Sequence, residues 1–176
     1  PVSCEVFADD EKEMIRQGHI INKLGKNVYV KVPVLNSKGK FMGKVIKTLS
    51  NSRIKLNITA VYNSTQTKKI LQNIDKKTKV IISIFAGRMA DVGKDPIPEI
   101  KESIKISRNY ENVEILWAST REAYNYLQAK NLGCQIITVP PQIIQKIENF
   151  GKSFQKLTTD TVNGFLIDSK KSKFKI

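Results

Sequence analysis

The sequence predicts an α/β fold built on a parallel β-sheet. Three observations lead there: six short apolar, β-branched runs recur along the 176 residues, their starts lie 22 to 33 residues apart, and helical patterns fill the gaps. Continuous apolar runs suit strands covered on both faces. A strand followed by a helix at this spacing is the βαβ unit.

Each element has its own justification. Val2–Phe7 is the first run. Asp9 or Asp10 then offers a helix N-cap, Met14, Ile15, Ile21 and Leu24 fall on one side, and Gly25 ends the helix. Val28–Val34 is the second run, followed by a helix marked by Phe41, Val45, Ile46 and Leu49. Leu56–Tyr62 and a short helix from Thr65 to Ile74 make the third unit. Val80–Phe85 precedes a helix carrying Ile100, Ile104 and Ile106. Val113–Trp117 precedes a helix from Thr120 to Leu132, which Gly133 terminates. Gln135–Val139 is the sixth run. Pro141 suits the first turn of the next helix, Gln142 to Phe150, because a first turn leaves its N–H groups unbonded anyway. A last helix spans roughly Thr158 to Ser169. One domain over 1–176 holds all of these elements.

Two architectures arrange such units: an open doubly wound sheet and a (β/α)8 TIM barrel. No G-x-G-x-x-G follows a strand, which weakens a dinucleotide-binding sheet. A barrel needs eight units, so as a TIM barrel this chain lacks the first two strand-helix units.

Composition narrows the function. The net charge is +14, but the lysines spread from Lys12 to Lys175. Outside the tail of Lys170, Lys171, Lys173 and Lys175 they form no dense block, and the few aromatics are not interleaved with them. Nucleic acid is therefore not an expected partner, whereas the positive field suits phosphorylated metabolites. No apolar run approaches the ~18 residues of a membrane span, and no secretory pattern opens the chain. Cys4 and Cys134, far apart in sequence, read as buried thiols in a reducing compartment, so a cytoplasmic location is expected. The sole histidine, His19, is expected on an exposed helix. Neither an ordinary zinc set nor Ser-His-Asp or Cys-His machinery can be assembled, and no metal or other cofactor is expected.

In parallel α/β folds chemistry collects at the carboxyl ends of the strands. Glu5 is a carboxylate inside the first run. Lys31 stands among Val30, Val32 and Pro33 in the second. Desolvating an ammonium there favours the neutral amine that Schiff-base chemistry needs. An exposed strand end would leave the same lysine an ordinary solvated cation. Asn57 and Thr59 alternate with apolar residues and so share one face of the third run. Ser83 and Phe85 lie in the fourth run and Arg88 just after it; Ser119 and Arg121 follow the fifth. Two guanidiniums and a hydroxyl between strand and helix can hold a phosphate. Each arginine alone could equally form a surface salt bridge.

At these residues the chain resembles the transaldolase family, especially its short members, and the related fructose 6-phosphate aldolases. The matching segments are VSCEVFADD, NVYVKVPV, NITAVYNSTQ, SIFAGRMADVG, LWASTRE, ITVPPQII and LTTDTVNGFLID, spread over nearly the whole chain. The resemblance implies the (β/α)8 barrel and class I aldolase chemistry without a cofactor. It makes Lys31 the Schiff-base lysine and Glu5, with Thr59, the proton-handling pair acting through a bound water. Asn57 and Ser83 become polar residues contacting substrate or lysine, and Arg88, Ser119 and Arg121 the phosphate site. Glu5 and Phe85 resemble the transaldolases, where the aldolases carry glutamine and tyrosine; this favours transfer over cleavage.

The implied activity is transfer of a dihydroxyacetone unit from fructose 6-phosphate or sedoheptulose 7-phosphate to an aldose phosphate, in the pentose phosphate pathway. Cleavage without transfer and a noncatalytic sugar-phosphate-binding barrel are the alternatives. The resemblance also implies a homo-oligomer. The family's first strand normally carries an aspartate acting as general acid/base, which has no counterpart here. After Pro33 the threonine and acidic residue common in the family are absent, and the loop Met89-Ala90-Asp91 is less acidic than usual.

Overall fold

In the computed structural model, which describes residues 1–173, the six expected strands form one parallel sheet. They are β1 (Val2–Glu5), β2 (Val28–Pro33), β3 (Leu56–Val61), β4 (Val80–Ile84), β5 (Val113–Trp117) and β6 (Ile136–Ile137), and they pair in sequence order. That order never reverses, so there is no switch point and the doubly wound alternative is excluded. Right-handed crossovers that all advance the same way put the helices on one face. The sheet curls around its other face, so that residues of β1 and β6 line the same pocket. Among the described residues β1 and β6 do not pair with each other. The expected TIM barrel is thus present as a curled six-strand half-barrel, open at both edges.

The helices are α1 (Glu11–Asn22), α2 (Gly43–Asn51), α3 (Ser64–Leu71), α4 (Ala86–Ala90), α5 (Ile97–Ser107), α6 (Tyr124–Leu132), α7 (Pro141–Ile147) and α8 (Phe154–Ser172). Asp10 caps α1, its carboxylate accepting from the Glu13 N–H at 2.9 Å. The helix stops at Asn22, before Gly25, so Leu24 is 67% exposed rather than on the apolar side. Phe41 precedes α2 and forms an antiparallel bridge with Leu35. Gly133 ends α6 in the left-handed region, as its position predicts. The short α4 is an element the periodicity does not announce. The last helix begins at Phe154, earlier than expected, where the Ser153 hydroxyl accepts from the Lys156 N–H. The end of the basic tail, including Lys175, lies outside the described residues.

The core lies between sheet and helices. Val30, Val32, Ile58, Ile82 and Ile115 alternate onto this face and meet Met14, Val45, Ile46, Leu49, Ile70 and Ile100 from the helices. Fully burying an aliphatic side chain contributes roughly 1.5–3 kcal/mol. Helices α1 and α2 approach closely at Gly18, where a Cβ would meet Leu49 at 2.8 Å. On the concave face Tyr29, Ile81, Leu116 and Ala118 form a smaller apolar floor, with Phe85 and Ile136 packed on it. A bulge interrupts β3 at Ala60, whose φ is +57°. It leaves Thr59 on the concave face and returns Val61 to the core.

One expectation needs correction. Cys4 and Cys134 are free but only partly buried, because both lie near an edge of the open sheet. Burial still pushes the Cys134 thiol up to about 11. His19 is exposed on α1, as expected. Among the described residues no helix is long and apolar enough to cross a membrane.

Candidate functional site

The strand register determines which side chains meet. Glu5 is opposite Lys31, Lys31 opposite Asn57, and Pro33 opposite Thr59. Side chains alternate along a strand, so Ser3, Glu5, Lys31, Asn57, Thr59 and Ser83 face the hollow of the half-barrel. They converge on a cavity of about 580 Å³ at the carboxyl ends of the strands. Every residue the sequence singles out lines it except Glu5, which reaches it through Lys31. Another cleft, of about 660 Å³, lies outside the barrel between Asp9 and Lys44. Its carboxylates are already engaged, Asp9 by Ser37 and Glu11 by Lys40.

Lys31 Nζ stands 3.3 Å from Glu5 Oε2. The lysine side chain is 29% exposed and the glutamate 45%, so the burial expected of Lys31 is only partial. The open edge beside β1 admits solvent to both. Beneath them runs a hydrogen-bonded chain. The Ser83 hydroxyl donates to Asn57 Oδ1 at 2.7 Å, and Asn57 Nδ2 donates to the Ser3 hydroxyl at 3.0 Å. This chain fixes the Asn57 amide orientation. Thr59 Oγ1 is fully buried and has no hydrogen-bond partner among the described residues. Buried hydroxyls without partners are uncommon, and this one belongs to a residue lining the cavity.

The mouth of the cavity is cationic. Arg88 leaves the first turns of α4, with its guanidinium over the Phe85 ring at 5.2 Å from the centroid. Phe85 also packs on Tyr62, with centroids 5.9 Å apart. Arg121 follows β5 and forms a bidentate pair with Asp91, Nη2 to Oδ2 at 2.5 Å and Nε to both oxygens at 3.1 Å. Arg121 holds the Asp91 carboxyl below the usual carboxylate range.

Two backbone features lock these loops together. Ser119 has φ +65°, a left-handed conformation rare for serine. Gly87 lies so close that a Cβ there would sit 1.6 Å from the Ser119 carbonyl oxygen. Only glycine permits that approach.

Ser3, Asp91 and the apolar floor of Leu116, Ala118 and Ile136 belong to the site but were not anticipated. Ser3 was legible, since it stands two residues before Glu5 on the same strand face. Among the described residues no cluster of His, Cys, Asp and Glu could hold a metal ion.

Residues 1–176 match the family described as Transaldolase/Fructose-6-phosphate aldolase. A relative named "Probable transaldolase" from Thermoanaerobacter sp. (strain X514) is 30% identical over 177 residues, covering 100% of this chain and 76% of the relative. One of the same name from Chelativorans sp. (strain BNC1) is 34% identical over 177 residues, with the same coverages of 100% and 76%. Another from Herpetosiphon aurantiacus is 31% identical over 169 residues, covering 96% and 71%. A solved structure described as "Native KDPGal structure" aligns with 88% of this chain and 86% of its own at 12% identity and a TM-score of 0.30, too weak a likeness to support an argument.

Proposed function

Because the chain belongs to the transaldolase/fructose-6-phosphate aldolase family, we propose that it is a transaldolase working through a Schiff base on Lys31. The observation that carries this reading is one lysine, paired with a carboxylate at 3.3 Å, inside a cavity with two arginines at its mouth.

In this reading a ketose phosphate enters with its phosphate against Arg88, Ser119 and Arg121 and its carbonyl toward Lys31. The neutral amine attacks the keto carbon. Loss of water gives an iminium, which draws electrons from the C3–C4 bond as the C4 hydroxyl loses its proton. Glu5 and Thr59 move protons through a bound water, and the orphaned Thr59 hydroxyl supports that role. The Ser83–Asn57–Ser3 chain holds donors and acceptors for the sugar in place. An aldose phosphate leaves, and the dihydroxyacetone unit remains on Lys31 as an enamine. It adds to the carbonyl carbon of a second aldose phosphate, and hydrolysis frees the new ketose and Lys31. This reading includes a place in the pentose phosphate pathway, a cytoplasmic location and one barrel-type domain over residues 1–176. The open edges at β1 and β6 are where further strands would close such a barrel.

Borohydride reduction in the presence of fructose 6-phosphate tests the proposal. The expected result is a covalent adduct on the peptide holding Lys31, absent in Lys31→Arg. No adduct on folded protein that binds the sugar overturns it and leaves a noncatalytic binding barrel. Assay with and without an acceptor aldose phosphate separates transfer from simple cleavage.

A further inference from the structure

The two arginines at the cavity mouth are not equivalent. Arg88 rests on Phe85 and has no carboxylate partner among the described residues. Arg121 is held from behind. Asp91, one turn after Arg88, takes its Nε and Nη2, and the Asp91 N–H donates to the Gly87 carbonyl at 2.9 Å. The Arg121 stem lies over Gly87, with Cγ 3.0 Å from where a Cβ would stand. Its backbone N–H donates to Asn125 Oδ1, also at 3.0 Å. Arg121 is thus held at head, stem and backbone. Arg121 lines the main cavity, while Asp91 lines only a smaller one of about 350 Å³ behind it.

A guanidinium has five N–H donors. Asp91 uses the Nε/Nη2 edge, and no hydrogen bond among the described residues uses Nη1. The Nη1/Nη2 edge therefore remains for an acceptor in the cavity. We propose that Asp91 is a positioning residue for sugar-phosphate binding: it grips Arg121 so that the free guanidinium edge meets the terminal phosphate, while Arg88 makes no direct carboxylate contact among the described residues. This rests on the phosphate-site reading above.

Holding a flexible arginine in its bound geometry removes an ordering cost from the substrate complex. The carboxylate also offsets one positive charge, so the subsite combines geometric selection with a single net cation. An alternative role for Asp91, plain neutralisation of excess positive charge, predicts the opposite sign. Removing Asp91 would then unmask the positive charge, and the site would attract phosphate more strongly.

Steady-state kinetics with fructose 6-phosphate and with unphosphorylated fructose separate these roles, with equilibrium binding of both sugars by calorimetry as a readout free of turnover. Asp91→Ala is expected to raise KM and Kd for fructose 6-phosphate roughly tenfold, to change kcat less than about twofold, and to leave fructose affinity in place. Asp91→Glu is expected to recover part of the loss. Unchanged or tighter fructose 6-phosphate binding in Asp91→Ala overturns the proposal. So does an equal loss for both sugars, which marks a structural role. If instead the wild-type protein binds the two sugars equally and Arg88→Ala changes neither, the phosphate-site reading itself fails, and the Asp91 proposal with it.

Discussion

At the scale of single residues, the proposed chemistry depends on groups whose environment departs from the ordinary. Thr59 is the clearest case. Its hydroxyl is buried with no partner among the described residues, so it contributes little to stability and leaves an unmet hydrogen bond. Thr59→Val keeps the shape and removes that bond. It is expected to leave the thermal unfolding temperature unchanged or raised, while slowing formation of the Lys31 adduct by roughly a hundredfold, as loss of proton-transfer help does. A variant both unstable and slow would make Thr59 a packing residue only. Cys134 gives a pH signature. Its thiol is pushed from an ordinary 9.0 to about 11, so the folded state keeps a proton that the unfolded chain releases. That contribution is complete below pH 9.0 and lost as pH rises toward about 11. Urea midpoints should fall across that interval in the wild type and fall less in Cys134→Ala. Strand alternation made the shared face of Asn57 and Thr59 legible in sequence, apolar neighbours singled out Lys31, and Ser83 came from the resemblance. Asp91 was not, because a helix-end carboxylate on the surface looks like any other until Arg121, from a distant loop, arrives beside it.

At the scale of elements, close contacts between loops hold the site together. Gly87→Ala puts a Cβ against the Ser119 backbone carbonyl, which no rotamer change relieves. It is expected to cost about 2 kcal/mol or more in denaturant unfolding and to weaken sugar-phosphate binding, because Arg88 and Ser119 are displaced together. A neutral effect would mean that the two loops move independently. The inner strands β2 to β5 were readable because most of their residues are buried and apolar. The element ends were not. Helix α1 stops at Asn22, where the Lys23 N–H donates to the Ile20 carbonyl and the Leu24 N–H to the Ile21 carbonyl, and Gly25 is not needed to end it. The five residues of α4 are too few to show a helical period, so only tertiary contact reveals them.

At the scale of the whole molecule, the last helix is the conspicuous surface. None of the residues of α8 is buried, and Phe154, Leu157, Val162, Phe165 and Leu166 are all exposed. Exposed apolar side chains of this kind suit an interaction surface. We propose it as the contact surface of the homo-oligomer that the resemblance implies. Phe165→Asp is expected to lower the molar mass in solution measured by light scattering, with helix content retained. An unchanged mass would remove α8 from the interface. The charge of the molecule was legible as a solvated basic surface, but the exposure of α8 was not, since its apolar spacing looks the same whether it packs on its own chain or another.

The strand order carries a consequence for how the chain acquires its shape. Each strand hydrogen-bonds only to its neighbours in sequence. During synthesis every new strand therefore finds its template already made, and no internal ladder waits for a segment translated much later. Growth can proceed from the amino-terminal edge one unit at a time, as domains assemble on the ribosome. Apart from the outer edge of β1, only the leading edge is unpaired at any moment, which limits how many sticky strands are offered to other chains.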